Sequence, residues 1–137
     1  MKVIKVEGGK HYVIGGPVCQ SCKGTGWFDY NAGAPKMPCH DCYGTGFQAV
    51  EGWSNDRKEE WLRENAPTKI KGLYRKNWSI HPEELRIRVD VFTSCYEWEV
   101  VYISHDRDGD EEAIVAENKD KSLALTAAVI NVAKEEK

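Results

Sequence analysis

Cys19-Gln20-Ser21-Cys22-Lys23-Gly24-Thr25-Gly26-Trp27 is repeated twenty residues later as Cys39-His40-Asp41-Cys42-Tyr43-Gly44-Thr45-Gly46-Phe47. Each half reads C-x-x-C-x-G-x-G-aromatic. Two cysteines at this spacing can hold one ion through a tight turn. A glycine two places beyond the second cysteine permits positive φ, so the chain can curl back toward the sulfurs. Gly24, Gly26, Gly44 and Gly46 serve the two knuckles in this way. Together the knuckles offer four thiolates, from Cys19, Cys22, Cys39 and Cys42. Four thiolates complete a tetrahedral Zn²⁺ site with no open position, the arrangement of a structural rather than a catalytic metal. One zinc per chain is therefore the expected cofactor. Two disulfides, or a redox C-x-x-C, are competing readings. Neither accounts for the paired G-x-G, and a redox motif needs only one C-x-x-C, beside a βαβ pattern that this sequence lacks. An iron–sulfur centre is a third reading of a four-cysteine set.

With four cysteines at hand, His40 inside the second knuckle and His11 before the first are expected beside the site or on the surface, not as ligands. Cys95, in a stretch that reads as strand, is expected to be a small core residue. His81 and His105 are expected in loops.

The doubled C-x-x-C-x-G-x-G resembles the cysteine-rich zinc-finger region of DnaJ-type co-chaperones. The resemblance covers residues 17–48, and the family normally carries four copies where this chain has two. It implies zinc ligation by Cys19, Cys22, Cys39 and Cys42 and, more loosely, contact with other polypeptides. The J-domain's His-Pro-Asp signature is missing, because His81-Pro82 is followed by Glu83. Co-chaperone action is therefore not implied.

Working outward, the 137 residues are 41% apolar and 30% charged, the composition of a soluble globular protein. No apolar run approaches the roughly 20 residues of a membrane helix. The N-terminal residues lack the apolar stretch of a secretory signal, so a cytoplasmic location is expected. The net charge of −3 is unevenly spread. Residues 1–50 and 51–82 each carry +2, whereas residues 83–137 carry −7. An acidic C-terminal half is a poor phosphate binder, since nucleic-acid affinity rests on Lys and Arg neutralising phosphates.

These shifts divide the chain into a finger with an N-terminal hairpin (1–50), a short helix and basic linker (51–82), and a β-β-β-α unit (83–137). The fold class is α+β: a small Cys₄ finger followed by an antiparallel three-stranded sheet packed on a C-terminal helix. Gly8-Gly9 between two short apolar runs reads as a hairpin turn. Residues 56–65 read as a helix with Asp56 and Glu59 at capping-box spacing and Pro67 as its stop. Residues 66–80 are basic and aromatic, with Lys69, Lys71, Tyr74, Arg75, Lys76 and Trp78 as possible nucleic-acid contacts. The competing reading is a linker that docks its aromatics on the neighbouring unit.

From residue 84 the pattern has period 2. A short turn that sets Val91 opposite Tyr96 also sets Val89 opposite Trp98 and Arg88 opposite Glu99. Arg86 and Arg88 are then expected to be taken up by Glu97 and Glu99. An Asp-Gly turn leads into a third strand at 111–117. The helix from about 120 to 135 shows two apolar stripes, Leu123-Ala127-Ile130 and Leu125-Val129-Val132, and so is expected to be buried on both sides. One stripe is expected on the sheet. The other is expected under the aromatics of residues 53–78, with a homodimer as the competing solution. The metal-independent apolar pattern suggests that the β-β-β-α unit stays folded without the finger. Trp98-Glu99-Val100 and Ser122-Leu123-Ala124-Leu125-Thr126-Ala127-Ala128 resemble the small phage ABA-sandwich proteins, which implies a phage or prophage origin.

No catalytic constellation emerges: no supported Ser-His-Asp or Cys-His arrangement, and no phosphate-cradling glycine loop. The expectation is a non-enzymatic zinc-binding protein that contacts another protein, as a phage-encoded modulator of a host protein. The alternative is a nucleic-acid-binding finger protein that uses residues 66–80. A thiol–disulfide enzyme is a third reading, opposed by the closed Cys₄ set.

Overall fold

The computed structural model describes residues 3–28, 37–66, 84–92, 95–106 and 109–135. The N-terminal apolar runs pair as antiparallel strands β1 (Val3–Glu7) and β2 (Lys10–Val13). Gly8 and Gly9 turn them at φ 58° and 74°, the double positive φ of a tight two-residue hairpin. Within the finger, β3 (Trp27–Phe28) pairs with β4 (Met37–Pro38). A single 3-10 turn at Val50–Gly52 leads into α1 (Asn55–Glu64).

The cap of α1 is Ser54, whose hydroxyl accepts from the Arg57 amide. The Asp56 box expected from the sequence lies two residues too far in, because Ser54 meets the orphan N–H first. At the other end the Tyr102 hydroxyl donates to the Leu62 carbonyl at 2.7 Å, satisfying one of the helix's last free acceptors.

The C-terminal sheet runs β5 (Glu84–Phe92), β6 (Cys95–Asp106), β7 (Gly109–Asn118), in that spatial order and antiparallel throughout. The β5–β6 register is the expected one, with Val91 opposite Tyr96, Val89 opposite Trp98 and Arg88 opposite Glu99. The same register corrects the reading of Arg86. It lies opposite Val101 and pairs with Glu84 on its own strand at 2.9 Å, while Glu97 lies opposite Asp90. Arg88 reaches Glu99 at 3.4 Å and, across the middle strand, Glu112 at 2.7 Å. The hydrogen bond from Arg88 holds the Glu112 carboxyl below its usual range. His105 is a strand residue opposite Asp110, not a loop residue. The expected Asp-Gly turn includes Asp108, which lies outside the described residues.

One side of the sheet is covered by α2 (Lys121–Glu135). Ala124, Leu125, Ala128, Val129, Val132 and Ala133 are all buried. At about 100° per residue these positions span roughly half the helix circumference. One wide face therefore meets two partners: the sheet through Val100, Tyr102, Ala113, Val115 and Ala116, and α1 through Trp61 and Leu62. This replaces the picture of two opposite stripes. Leu125, Val129 and Val132 are the buried set, whereas Leu123 is 57% exposed and Ala127 and Ile130 are half-buried. Alanine between the larger residues widens the face because it lets both partners approach the helix closely. At the β7 bulge the Asn131 amide donates to the Val115 carbonyl at 2.7 Å, tying helix to sheet where the ladder slips.

The aromatics Trp53 and Trp61 do enter this core, as expected for intrachain burial. So do Val13 and Val50, which belong to the segment read as the finger. The core is thus built from the N-terminal, middle and C-terminal segments together.

A charged side chain is buried beside it. Lys58 on α1 is 1% exposed, and its ammonium donates to the Ser122 hydroxyl at 3.1 Å. Burial pushes its pKa below the usual lysine value, against the opposing pull of Glu51 and Asp120. The unfolded chain therefore holds this proton more tightly, and stability rises as pH climbs from the lowered value toward 10.5. Lys58→Met, which keeps the stem's packing and removes the charge, should stabilise the protein by about 1 kcal/mol at neutral pH. Denaturant unfolding at several pH values checks this: the gap between variant and wild type should shrink as pH rises toward 10.5.

Candidate metal centre

The two knuckles face one another as near-copies. Lys23, Gly24 and Gly26 have φ of 54°, 86° and 83°, and their counterparts Tyr43, Gly44 and Gly46 have 51°, 83° and 82°. The amide of Cys19 donates to the Gly46 carbonyl and that of Cys39 to the Gly26 carbonyl, both at 2.9 Å. Each knuckle thus closes on the other knuckle's last glycine.

This exchange gives Gly26 and Gly46 a requirement that spacing alone does not disclose. A Cβ on Gly26 would lie 2.6 Å from the Gly44 carbonyl oxygen, and one on Gly46 would lie 2.6 Å from that of Gly24. The glycines are needed for close approach of two backbones as well as for positive φ.

The result is a cluster of four buried cysteines whose sulfurs all lie within 4.8 Å of one another. Cys19 Sγ is 3.8 Å from Cys39 Sγ, and Cys22 Sγ is 3.7 Å from Cys42 Sγ. All four are free thiols, so the two-disulfide reading is not realised. A tetrahedron with metal–sulfur bonds of about 2.3 Å has edges of about 3.8 Å, so the donor set fits one such ion. All four coordination positions are then filled by protein, which leaves none for a substrate.

The surrounding atoms favour thiolate. The Gly26 amide donates to Cys22 Sγ at 3.2 Å and the Gly46 amide to Cys42 Sγ at 3.3 Å. In the metal-free cluster burial alone would raise the Cys22 thiol, but the Gly26 amide, the Cys42 thiol and the Gly24 amide outweigh it and lower its pKa. Burial prevails at Cys19 and Cys39, which are both raised.

Two residues that sequence reasoning passed over wall the cluster. Tyr12 is fully buried against the cysteines, and Ala49 packs on them from the far side of the repeat. Tyr12 donates its hydroxyl to the Asp41 carbonyl at 3.3 Å and meets the Tyr43 ring edge-on. The alternation of β2 is the signal that could have placed Tyr12 and Val13 on opposite sides. Ser21 and Asp41, equivalent positions of the two knuckles, hydrogen-bond across the pseudo-twofold.

Neither His11 nor His40 joins the sulfur cluster. His40 is exposed. His11 is clamped by Glu51, which accepts from its amide at 2.8 Å and contacts its Nδ1 at 2.9 Å. Lys69, Lys71, Tyr74, Arg75, Lys76 and Trp78 lie outside the described residues. Among the described residues no helix is long and apolar enough to cross a membrane.

In comparisons with protein families, curated proteins and solved structures, nothing matches this chain. What is established is a chain with a four-cysteine cluster able to bind a metal ion, set on an α+β fold with an antiparallel sheet.

Gly26→Ala should destabilise the finger by about 2 kcal/mol or more, since it combines strained φ with a backbone clash. Gly52→Ala, where an added Cβ meets nothing within 4 Å, is the control. Thermal unfolding of both variants checks the contrast. The ion should also be lost in acid. Ligation needs all four thiols deprotonated, and the raised Cys19 and Cys39 thiols make protons strong competitors. Affinity should therefore rise with pH, as a chelator competition series from about pH 5 to about pH 8 would show.

Proposed function

We propose that the chain is a non-enzymatic zinc-binding protein that acts by contacting another protein through its finger, and that it is a phage-encoded modulator of a host protein. One zinc per chain is held by Cys19, Cys22, Cys39 and Cys42. A Cys₄ tetrahedron with all positions occupied is the habitual site of structural zinc, and zinc's lack of redox chemistry suits a purely architectural ion.

The observation that carries the reading is the contrast between a closed site and the apolar surface beside it. Trp27 is 49% exposed, Met37 48% and Tyr43 41%. Met37, Pro38, Cys39, His40 and Tyr43 line an open groove of about 270 Å³. Exposed apolar side chains that cluster, as Met37 and Tyr43 do along this groove, commonly mark interaction sites, and aromatics and methionine are enriched at them. A catalytic zinc would instead keep a position open. Burial of Leu125, Val129 and Val132 within the chain supports a monomer as the working form.

The test is a tagged pull-down from host lysate, with and without nuclease, using wild type and a Trp27→Ser/Met37→Ser variant. Elemental analysis should find one zinc per chain in both proteins, and none in Cys22→Ser. The expected result is a protein partner that survives nuclease and is lost with the double variant. Nucleic acid that is recovered and then lost on nuclease treatment would favour the alternative reading, in which the basic aromatic segment is the contact.

A further inference from the structure

Two cores lie side by side in this chain, and the backbone passes from one to the other within a single peptide unit, twice. On β2, Tyr12 is buried in the cysteine cluster and the next residue, Val13, is buried in the main core. After the second knuckle, Ala49 packs on the cysteines and Val50 is buried in the main core. Neither crossing has a linker in which motion on one side could be absorbed before it reaches the other.

The crossings are also bound to each other and to α1. The Gln48 amide donates to the Pro17 carbonyl at 2.9 Å, joining the segments that lead into and out of the finger. Glu51 grips His11 through both carboxylate oxygens. The Trp61 indole donates to the Ile14 carbonyl at 2.9 Å, the Arg57 guanidinium to the Gly15 carbonyl at 2.6 Å, and the Trp53 indole to the Gln48 carbonyl at 3.0 Å. From α1 the path continues into the C-terminal unit, through Lys58 to Ser122 and Tyr102 to Leu62.

From this geometry we infer that the finger, α1 and the sheet–helix unit form one cooperative structure, in which loading of the cysteine cluster with its ion tightens the packing of α2 on the sheet. The inference rests on the metal-binding reading of the cluster. Without an ion, four thiols crowded within 4.8 Å must hold protons or move apart. Moving apart displaces Tyr12 and Ala49, and with them Val13 and Val50. By linkage the coupling is reciprocal, so loosening the main core loosens the hold on the ion. The chain thereby senses metal supply through the stability of a sheet–helix unit that holds none of the four ligands.

Hydrogen exchange of the full chain, zinc-loaded and chelator-stripped, tests this. The amides of Val129 and Val132 are the probes in α2, and those of Gly26 and Gly46 are the probes in the finger. With free zinc at about a hundred times its dissociation constant, exchange at Val129 and Val132 should slow by roughly a hundredfold. Unchanged exchange in α2, with slowing confined to the finger, overturns the inference and leaves the metal-binding reading standing. Elemental analysis that finds no metal in the loaded sample overturns both. The reverse direction uses Leu125→Ala, deep in the main core, and Leu123→Ala, which is largely exposed. Heat-driven zinc release, read with a chromogenic chelator, should come at a lower temperature in Leu125→Ala and at the wild-type temperature in Leu123→Ala. Release at the wild-type temperature in a folded Leu125→Ala protein overturns the reciprocity. Should that variant fail to fold, the exchange comparison on wild type decides alone.

Discussion

Four sulfurs within 4.8 Å of one another make a cluster that is costly as bare thiolates and satisfied by one cation. Buried like charges repel strongly because little solvent screens them. The chain mitigates the cost with amide dipoles, since Gly26 and Gly46 each point an N–H at a sulfur of their own knuckle. Those amides reach the sulfurs only because each knuckle turns through positive φ and closes on the other's glycine carbonyl. The finger has a small interior, with Tyr12 and the cysteines as its buried cluster. Metal ligation is the usual way for so small a unit to acquire a stable fold.

The rest of the molecule is organised around a helix face wide enough for two partners. Alanines at 124, 128 and 133 let the sheet and α1 both approach α2, and Leu125, Val129 and Val132 fill the space between. The N-terminal hairpin and the 3-10 turn contribute Val13 and Val50 to that same space. Lys58 is the exception in this apolar setting. Its hydrogen bond to Ser122 spans 64 positions of sequence and joins the helix after the finger to the start of the last helix. A buried ammonium of this kind contributes position rather than stability, because its desolvation opposes the bond it makes.

Function in this chain divides along the same line as its physics. The four-cysteine cluster is buried, so on the proposed reading its contribution is shape. The exposed apolar side chains of the finger and the groove at Met37–Tyr43 are what that shape presents. The outer face of the sheet is different in character: Arg88 is occupied by Glu99 and Glu112, and Arg86 by Glu84. Charges already engaged with their neighbours offer little to an anionic partner.

Several features were legible in the sequence because they depend on near neighbours or on strict periodicity. The twenty-residue repeat disclosed the four clustered cysteines, since the spacing within each knuckle is a local property. Gly8-Gly9 disclosed the first hairpin, and period-2 alternation disclosed the β5–β6 register down to Arg88 opposite Glu99. What the sequence did not disclose depends on distant surfaces meeting. Arg86 went to Glu84 because its cross-strand neighbour is Val101. Ser54 took the cap because the 3-10 turn brought the chain in two residues earlier than the charge pattern suggested. Which stripe of α2 is buried was decided by α1 and the sheet arriving on the alanine-lined side, a choice that apolar periodicity leaves open. The joining of the finger to the main core at Tyr12-Val13 and Ala49-Val50 was likewise a tertiary outcome. Alternation within a strand says that neighbouring side chains part company; only the packed structure says that each of them finds a different core.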